Sequence, residues 1–363
     1  MINDTRSSVL VVDDSAFMRR SIGEILAASE EFVVVGTARN GVDAIEKVRA
    51  LDPDIVTLDV EMPELDGLQA LVRIMKDAPR PVVMLSGATT PRGHDLTLRA
   101  LELGAMDFVR KPSGPISMNL ASVGGRLLEA LRAARAVNLR GLAPGAGAAT
   151  PAVGIEVARP RPAARPSAGV ATRMVGIAAS TGGPRALAEI VPALPRDMDA
   201  AVLIVQHMPS GFTRSLAQRL DSLGPLPVAE ARDGEIILAG RVYLAPGGHH
   251  MRVRGEAGVP VIAIGDDPPI WGVRPAADVL FRSMAQQFGR ACVGVVLTGM
   301  GRDGADGLRA VRDAGGRAVV QDRESSIIYG MPHAALQHAG ADRVASLNQM
   351  ADAIAAQVLF PHG

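Results

Sequence analysis

Short apolar runs alternate with amphipathic stretches along this chain, and the alternation occurs twice, on either side of an interval rich in Ala, Pro and Gly. In the first half, Val9–Val12, Phe32–Ala38, Ile55–Leu58, Pro81–Leu85 and Asp107–Val109 predict strands. Helical stretches start near Ala16, Gly41, Leu68 and Pro91, and a last one runs from about Met118 to Val137. That order predicts an α/β fold with a doubly wound, five-stranded parallel sheet, whose sites lie at the carboxyl ends of strands. Beyond the interval, Met174–Ala178, Ala201–Val205 and Ala291–Leu297 predict a second doubly wound α/β unit with a mostly parallel sheet. Hairpin-like material is expected around Val242 to Ile264.

The interval from about Leu142 to Val170 has too few core-forming residues to fold, and its prolines block regular ladders. The predicted organisation is therefore a first domain over 1–137, a linker over 138–170 and a second domain over 171–363. A flexible coil of about 30 residues spans on the order of 30 Å, enough for two domains to touch or separate. At 363 residues, each domain has room for its own core. Positive and negative side chains balance at 38 each, which argues against nucleic acid as a partner. A single cysteine, Cys292, excludes an internal disulfide framework and fits a reducing compartment. The first residues lack an apolar signal core and no apolar run reaches bilayer length, so we expect a cytoplasmic chain without direct membrane insertion.

Asp13 and Asp14 follow the first predicted strand and Asp59 the third. In an open α/β sheet these ends converge, and crowded like charges call for a cation. Such hard oxygen ligands in an incomplete shell suit Mg²⁺ with retained waters. Ser86 after the fourth strand and Lys111 after the fifth add a hydroxyl and a cation, able together to hold the oxygens of a phosphoryl group on Asp59. Each acid alone reads equally well as a helix cap. The whole set, on four strand ends, does not.

In the second half, Ser180-Thr181-Gly182-Gly183-Pro184 sits where an apolar strand turns into a helix, beside the free N–H groups of a helix N-terminus. His207 ends the next strand, and Asp303 follows a third through Gly299-Met300-Gly301-Arg302. If the strands are parallel neighbours, the three side chains meet over one sheet edge. A serine hydroxyl needs an imidazole to take its proton, and the imidazole needs a carboxylate to fix its tautomer. The N–H of Thr181 or Met300 is a candidate oxyanion donor. His207 also reads as a loop histidine and Asp303 as a cap, while His249, His250 and His333 compete as bases. The absence of Gly-x-Ser-x-Gly and the order Ser…His…Asp argue against an α/β-hydrolase fold, and no P-loop lysine follows the glycines.

Two resemblances cover nearly the whole chain. Val11-Val12-Asp13-Asp14-Ser15, Thr57 to Gly67, Leu85-Ser86-Gly87-Ala88 and Lys111-Pro112 resemble the receiver domain of two-component response regulators. The resemblance implies that Asp59 is the phospho-acceptor and that Asp13 and Asp14 hold Mg²⁺ with the backbone carbonyl of Glu61. It gives Ser86 and Lys111 as phosphoryl contacts and Phe108 as a switching aromatic, although a Phe in a strand is equally well explained by packing. Ala179 to Gly183, Gln206 to Thr213, Ala245 to Gly248, Asp278 to Phe281, Leu297 to Gly304 and Gly330-Met331-Pro332 resemble the chemotaxis protein-glutamate methylesterase family.

That second resemblance implies hydrolysis of glutamyl methyl esters on chemoreceptors, with release of methanol, and deamidation of particular glutamines. Ser180 is then the nucleophile, His207 the base, Asp303 its orienter and the Met300 N–H an oxyanion donor; the esterase chemistry itself requires no cofactor. The implied partners are a chemotaxis histidine kinase and the chemoreceptors, with activation on phosphorylation of Asp59. Two readings compete: a phosphorylation-dependent binding module with a weak or vestigial esterase, and a receiver-fused hydrolase of small esters or amides. Trp271-Gly272-Val273 departs from the family pattern, where a more polar stretch containing a histidine is expected, and Ala178 stands where glycine is common.

Overall fold

The computed structural model describes residues 6–87, 91–111, 120–137, 169–256 and 258–359. The chain divides into two compact units, Met1–Ala146 and Gly147–Gly363. Most of the predicted linker, with Ala88, Pro112 and Met118, lies outside the described residues. Gly169 and Val170, at that linker's predicted end, pair with Ala239 and Leu238 of the second unit.

In the first unit, β1 (Ser7–Val12), β2 (Phe32–Ala38), β3 (Ile55–Asp59), β4 (Val82–Ser86) and β5 (Asp107–Arg110) form a parallel sheet in the order β2-β1-β3-β4-β5. Val9 to Val12 are fully buried, as expected of a central strand covered on both faces. Each such Val or Leu contributes roughly 1.5–3 kcal/mol. The helices that follow are capped by side chains other than the site acids. Ser15 Oγ accepts from Met18 N at 3.3 Å, Asn40 Oδ1 from Asp43 N at 2.8 Å and Asp66 Oδ1 from Gln69 N at 2.8 Å. Asp13 and Asp59 are thus left at the strand ends. Among the described residues the last helix of this unit is Leu120–Arg135.

The second unit holds β6 (Met174–Ala179), β7 (Ala201–Gln206), β8 (Val228–Glu230), β9 (Val242–Leu244), β12 (Cys292–Val296), β13 (Arg317–Gln321) and β14 (Arg343–Ala345) in a seven-stranded sheet, ordered β14-β13-β12-β6-β7-β9-β8. Every pairing in it is parallel. The hairpin is narrower than expected: among the described strands β10 (His250–Glu256) and β11 (Val259–Gly265) form the antiparallel pair, with Ile236 adding an isolated antiparallel bridge to Val261. Val242–Leu244 instead enters the main sheet between β7 and β8. A buried three-residue strand has too few positions to reveal its partner by pattern.

One packing detail governs the site. Gly176 of β6 and Gly294 of β12 are register partners at the sheet centre. A Cβ on Gly176 would lie 2.7 Å from Phe281 and from Met284 Sδ, and one on Gly294 would lie 2.5 Å from Leu308. Gly176 opens a slot that seats the helix Ala277–Phe288 directly on the sheet, with Phe281 buried in it, and Gly294 makes room for Leu308 of the helix Ala305–Asp313 beside it. The amino end of the helix Ala277–Phe288 then lies over the carboxyl ends of the central strands.

Candidate functional site

Each sheet carries a polar cluster at its carboxyl edge. In the first unit, carboxylate oxygens of Asp13, Asp14 and Asp59 lie within 4.8 Å of one another. Lys111 Nζ reaches Asp13 Oδ2 at 2.8 Å and Asp59 Oδ2 at 2.7 Å. Burial raises the Asp59 pKa to about 6; Lys111 pulls it down, while Asp13 and Asp14 push it up. Burial opposes the charge on Lys111, but the two carboxylates hold its pKa above the ordinary lysine value. A carboxylate driven toward its neutral form by burial, with two others adding to the push, is what a divalent cation relieves, and three hard oxygen donors fit Mg²⁺. Ser86 ends β4 at the same edge, its hydroxyl sharing a hydrogen bond with Thr97 Oγ1 at 2.9 Å. Glu61 lies in the bend after β3, and Phe108 is buried in β5.

In the second unit, adjacency of β12, β6 and β7 brings the three predicted residues to one place. Ser180 directly follows β6 and His207 directly follows β7, with Ala179 and Gln206 in register. The Ser180 N–H donates to Thr298 O at 3.1 Å, and the His207 N–H donates to Ala179 O at 3.0 Å. His207 Nε2 lies 2.7 Å from Asp303 Oδ2. With the carboxylate on Nε2, Nδ1 is the nitrogen left for the serine proton, a choice that spacing along a chain does not reveal. Among the described residues Ser180 Oγ and His207 Nδ1 make no hydrogen bond, a contact that commonly closes only when substrate is bound.

Asp303 is nearly inaccessible, and burial alone would raise its pKa. The His207 ring and the N–H groups of Ala277 and Asp278 outweigh burial and hold it below the usual carboxylate range. The backbone donors lie at 2.6 Å (Ala277) and 3.0 Å (Asp278), and the Gly304 N–H adds a bond of 3.0 Å. The Ala277 and Asp278 N–H groups open the helix seated by Gly176, whose N-terminal dipole also favours a negative charge, and Gly304 is the N-cap of the helix Ala305–Asp313.

The Met300 N–H makes no hydrogen bond among the described residues. Thr181 is buried, and its carbonyl accepts from Thr298 Oγ1 at 3.0 Å. The competing histidines have other roles. His250 is buried, with Nε2 3.1 Å from Pro268 O and Nδ1 accepting from Ala276 N at 3.1 Å; burial lowers its pKa. His249 pairs with Asp266, and the His333 ring lies 5.9 Å from that of Tyr329.

Gln206, Gly183 and Thr298 lie inside the quoted motifs, but the sequence reading gave them no role. Gln206 is buried and its Nε2 donates to both Ser180 O (2.9 Å) and His207 O (3.2 Å), tying the two strand ends together. Gly183 makes room for it, since a Cβ there would meet Gln206 Oε1 at 2.0 Å. Thr298 Oγ1 bridges Thr181 O and Ile328 O. The available signal was an amide or hydroxyl closing an apolar run, where a buried polar group must find partners.

The acidic pocket and the Ser–His–Asp edge, each on its own parallel sheet, define a receiver unit joined to a hydrolase-type unit. Residues 9–121 match the response regulator receiver domain, and residues 175–354 match CheB methylesterase. A Pyrococcus horikoshii protein named protein-glutamate methylesterase/protein-glutamine glutaminase is 46% identical over 355 residues, covering 98% of this chain and 94% of that one. A Symbiobacterium thermophilum protein of the same name is 47% identical, covering 95% of each. The CheB methylesterase catalytic domain of Thermotoga maritima superposes with a TM-score of 0.50 at 38% identity, covering 51% of this chain and 97% of that one. The chain belongs to the protein-glutamate methylesterase/protein-glutamine glutaminase family.

Proposed function

We propose that this chain is a phosphorylation-activated serine hydrolase that removes methyl groups from glutamate methyl esters of chemoreceptors and deamidates specific receptor glutamines. The observation that carries the reading is the 2.7 Å His207–Asp303 contact, one strand away from Ser180 at the same sheet edge. Ser180 Oγ attacks the ester carbonyl carbon while His207 Nδ1 takes its proton. Asp303, held ionised by its N–H donors, stabilises the imidazolium. The Met300 N–H faces the developing oxyanion, with Thr181 N–H as a second donor. Collapse expels methoxide, which leaves as methanol with the His207 proton. Water, deprotonated by His207, then attacks the acyl-serine; the Ser180 oxygen leaves with that proton returned from His207, and a glutamate carboxylate is freed. With a glutamine substrate the group expelled is ammonia.

In the first unit Asp59 accepts the phosphoryl group from a histidine kinase. Asp13, Asp14 and the Glu61 carbonyl would hold Mg²⁺, which would supply charge screening for a phosphoryl group on Asp59. Lys111 and Ser86 meet its oxygens. Among the described residues no helix is long and apolar enough to cross a membrane, and we place the protein in the cytoplasm, where its kinase acts. The intact His207–Asp303 pair disfavours a vestigial esterase. The test is methanol release from radiolabelled, methylated receptor membranes of the same organism, with and without acetyl phosphate and Mg²⁺. Stimulated release supports the reading; no release in either condition overturns it.

A further inference from the structure

Trp271 occupies an unfavourable place for a large side chain. It has φ 55°, and Gly272 after it has φ 77°. The two form the tip of a tight turn closed by Ile270 N to Val273 O at 3.1 Å and Val273 N to Ile270 O at 3.0 Å. Successive positive φ values at a two-residue tip favour Asn, Asp or Gly, not Trp. About half the indole is exposed (51%), yet it is pinned. Its Nε1 donates to Asp278 Oδ2 at 2.9 Å, and the Arg302 guanidinium lies over the ring at 4.6 Å. Arg302 immediately precedes Asp303, and exposed Met300 lies two residues before it. At the start of this loop, Tyr329 bridges to Gly299 and carries Arg323 over its ring at 5.4 Å.

Two arginine–aromatic pairs therefore flank the loop that carries the candidate oxyanion donor. A fixed aromatic face orients each guanidinium, and guanidinium groups recognise carboxylates. We propose that Trp271 and Arg302 at the end of the loop, with Tyr329 and Arg323 at its start, form a recognition rim for an acidic polypeptide segment around the reacting glutamyl ester. This rests on the methylesterase reading above and names what the site selects for. The ester is neutral; unmodified glutamates beside it on the same substrate are anionic, and the rim meets those. The acidic competitor of Arg302 is Asp306, 3.4 Å away and shared with Arg282 and His338, which leaves Arg302 only partly neutralised; at the second pair Asp322 and Glu324 lie near enough to act on Tyr329 beside Arg323.

The test compares kcat/KM on methylated receptor membranes with kcat/KM on p-nitrophenyl acetate, for the full chain with acetyl phosphate and Mg²⁺. For Arg302→Ala and Trp271→Ala the ratio of receptor to small-ester kcat/KM is expected to fall about fivefold or more, and further for Arg302→Glu, with Arg302→Lys recovering part of it. Added salt should raise the wild-type receptor KM more than that of Arg302→Ala. An unchanged ratio overturns the rim, including the case in which both activities fall in parallel, which would mean that Trp271 acts only by holding Asp278 beside Asp303. A wild type that releases no methanol overturns the methylesterase reading itself.

Discussion

Asp59 and Asp303 are both buried aspartates at the carboxyl edge of a parallel sheet, and their environments drive them in opposite directions. Asp59 faces two further carboxylates and one lysine, and its pKa rises to about 6. Asp303 accepts from three backbone N–H groups and an imidazole, and its pKa falls below the ordinary value. Burial is similar, so the number of donors aimed at the carboxylate decides the outcome. The first site is left short of positive charge, which suits a place that receives a cation and a phosphoryl group. The second is complete without a cation and suits a permanent anion behind a general base.

The largest test of this contrast is Asp303→Asn. Loss of the ionised orienter should lower ester turnover by about 10³–10⁴-fold while the receiver still accepts phosphate, which phosphoprotein gels measure separately. Next is Asp59→Asn, which should retain basal turnover but lose all stimulation by acetyl phosphate; Mg²⁺ removal should do the same to the wild type. In chelator, Asp59→Asn should also stabilise the receiver unit by about 2–3 kcal/mol at pH 7.5. The sign follows from its raised pKa: the folded state binds the proton more tightly, so the ionised form is disfavoured above pH 6. The gain should shrink as the pH falls through 6 towards 4, as thermal melts can show.

For Asp303 the sign is reversed. Its depressed pKa makes a stabilising contribution that is full above the ordinary carboxylate value and is lost only as pH falls through the lower folded value. Acid titration of the Asp303→Asn second unit should lack that component. The smallest effects expected come from the supports. Gln206→Ala unties Ser180 from His207 and should cost about tenfold in kcat. Gly176→Ala pushes on Phe281 and should cost about 1–3 kcal/mol of stability, read by denaturant melts, with a smaller fall in activity.

Much of this was legible because central parallel strands are buried on both faces and read as continuous apolar runs. Val9–Val12 and Met174–Ala179 stand out for that reason, and the polar residue closing each run marks the site. The partner of Val242–Leu244 was not legible, because a buried strand that short carries no periodicity. Nor was the role of Gln206, or the choice of Nε2 for Asp303. Both depend on which strand ends become neighbours, and that adjacency exists only after β6, β7 and β12 have paired. The role of Asp278 stayed hidden for a related reason: its carboxylate holds Trp271 and the Gly307 N–H, while its own N–H holds Asp303.

The central claim is that Ser180 carries the reaction with His207 and Asp303 behind it. It is tested most directly by methanol release from methylated receptors in the Ser180→Ala chain beside wild type, both phosphorylated and both shown folded by melting. The account predicts stimulated release from wild type and a loss of at least about 10⁴-fold in the variant. Release from Ser180→Ala at a rate close to wild type would contradict it.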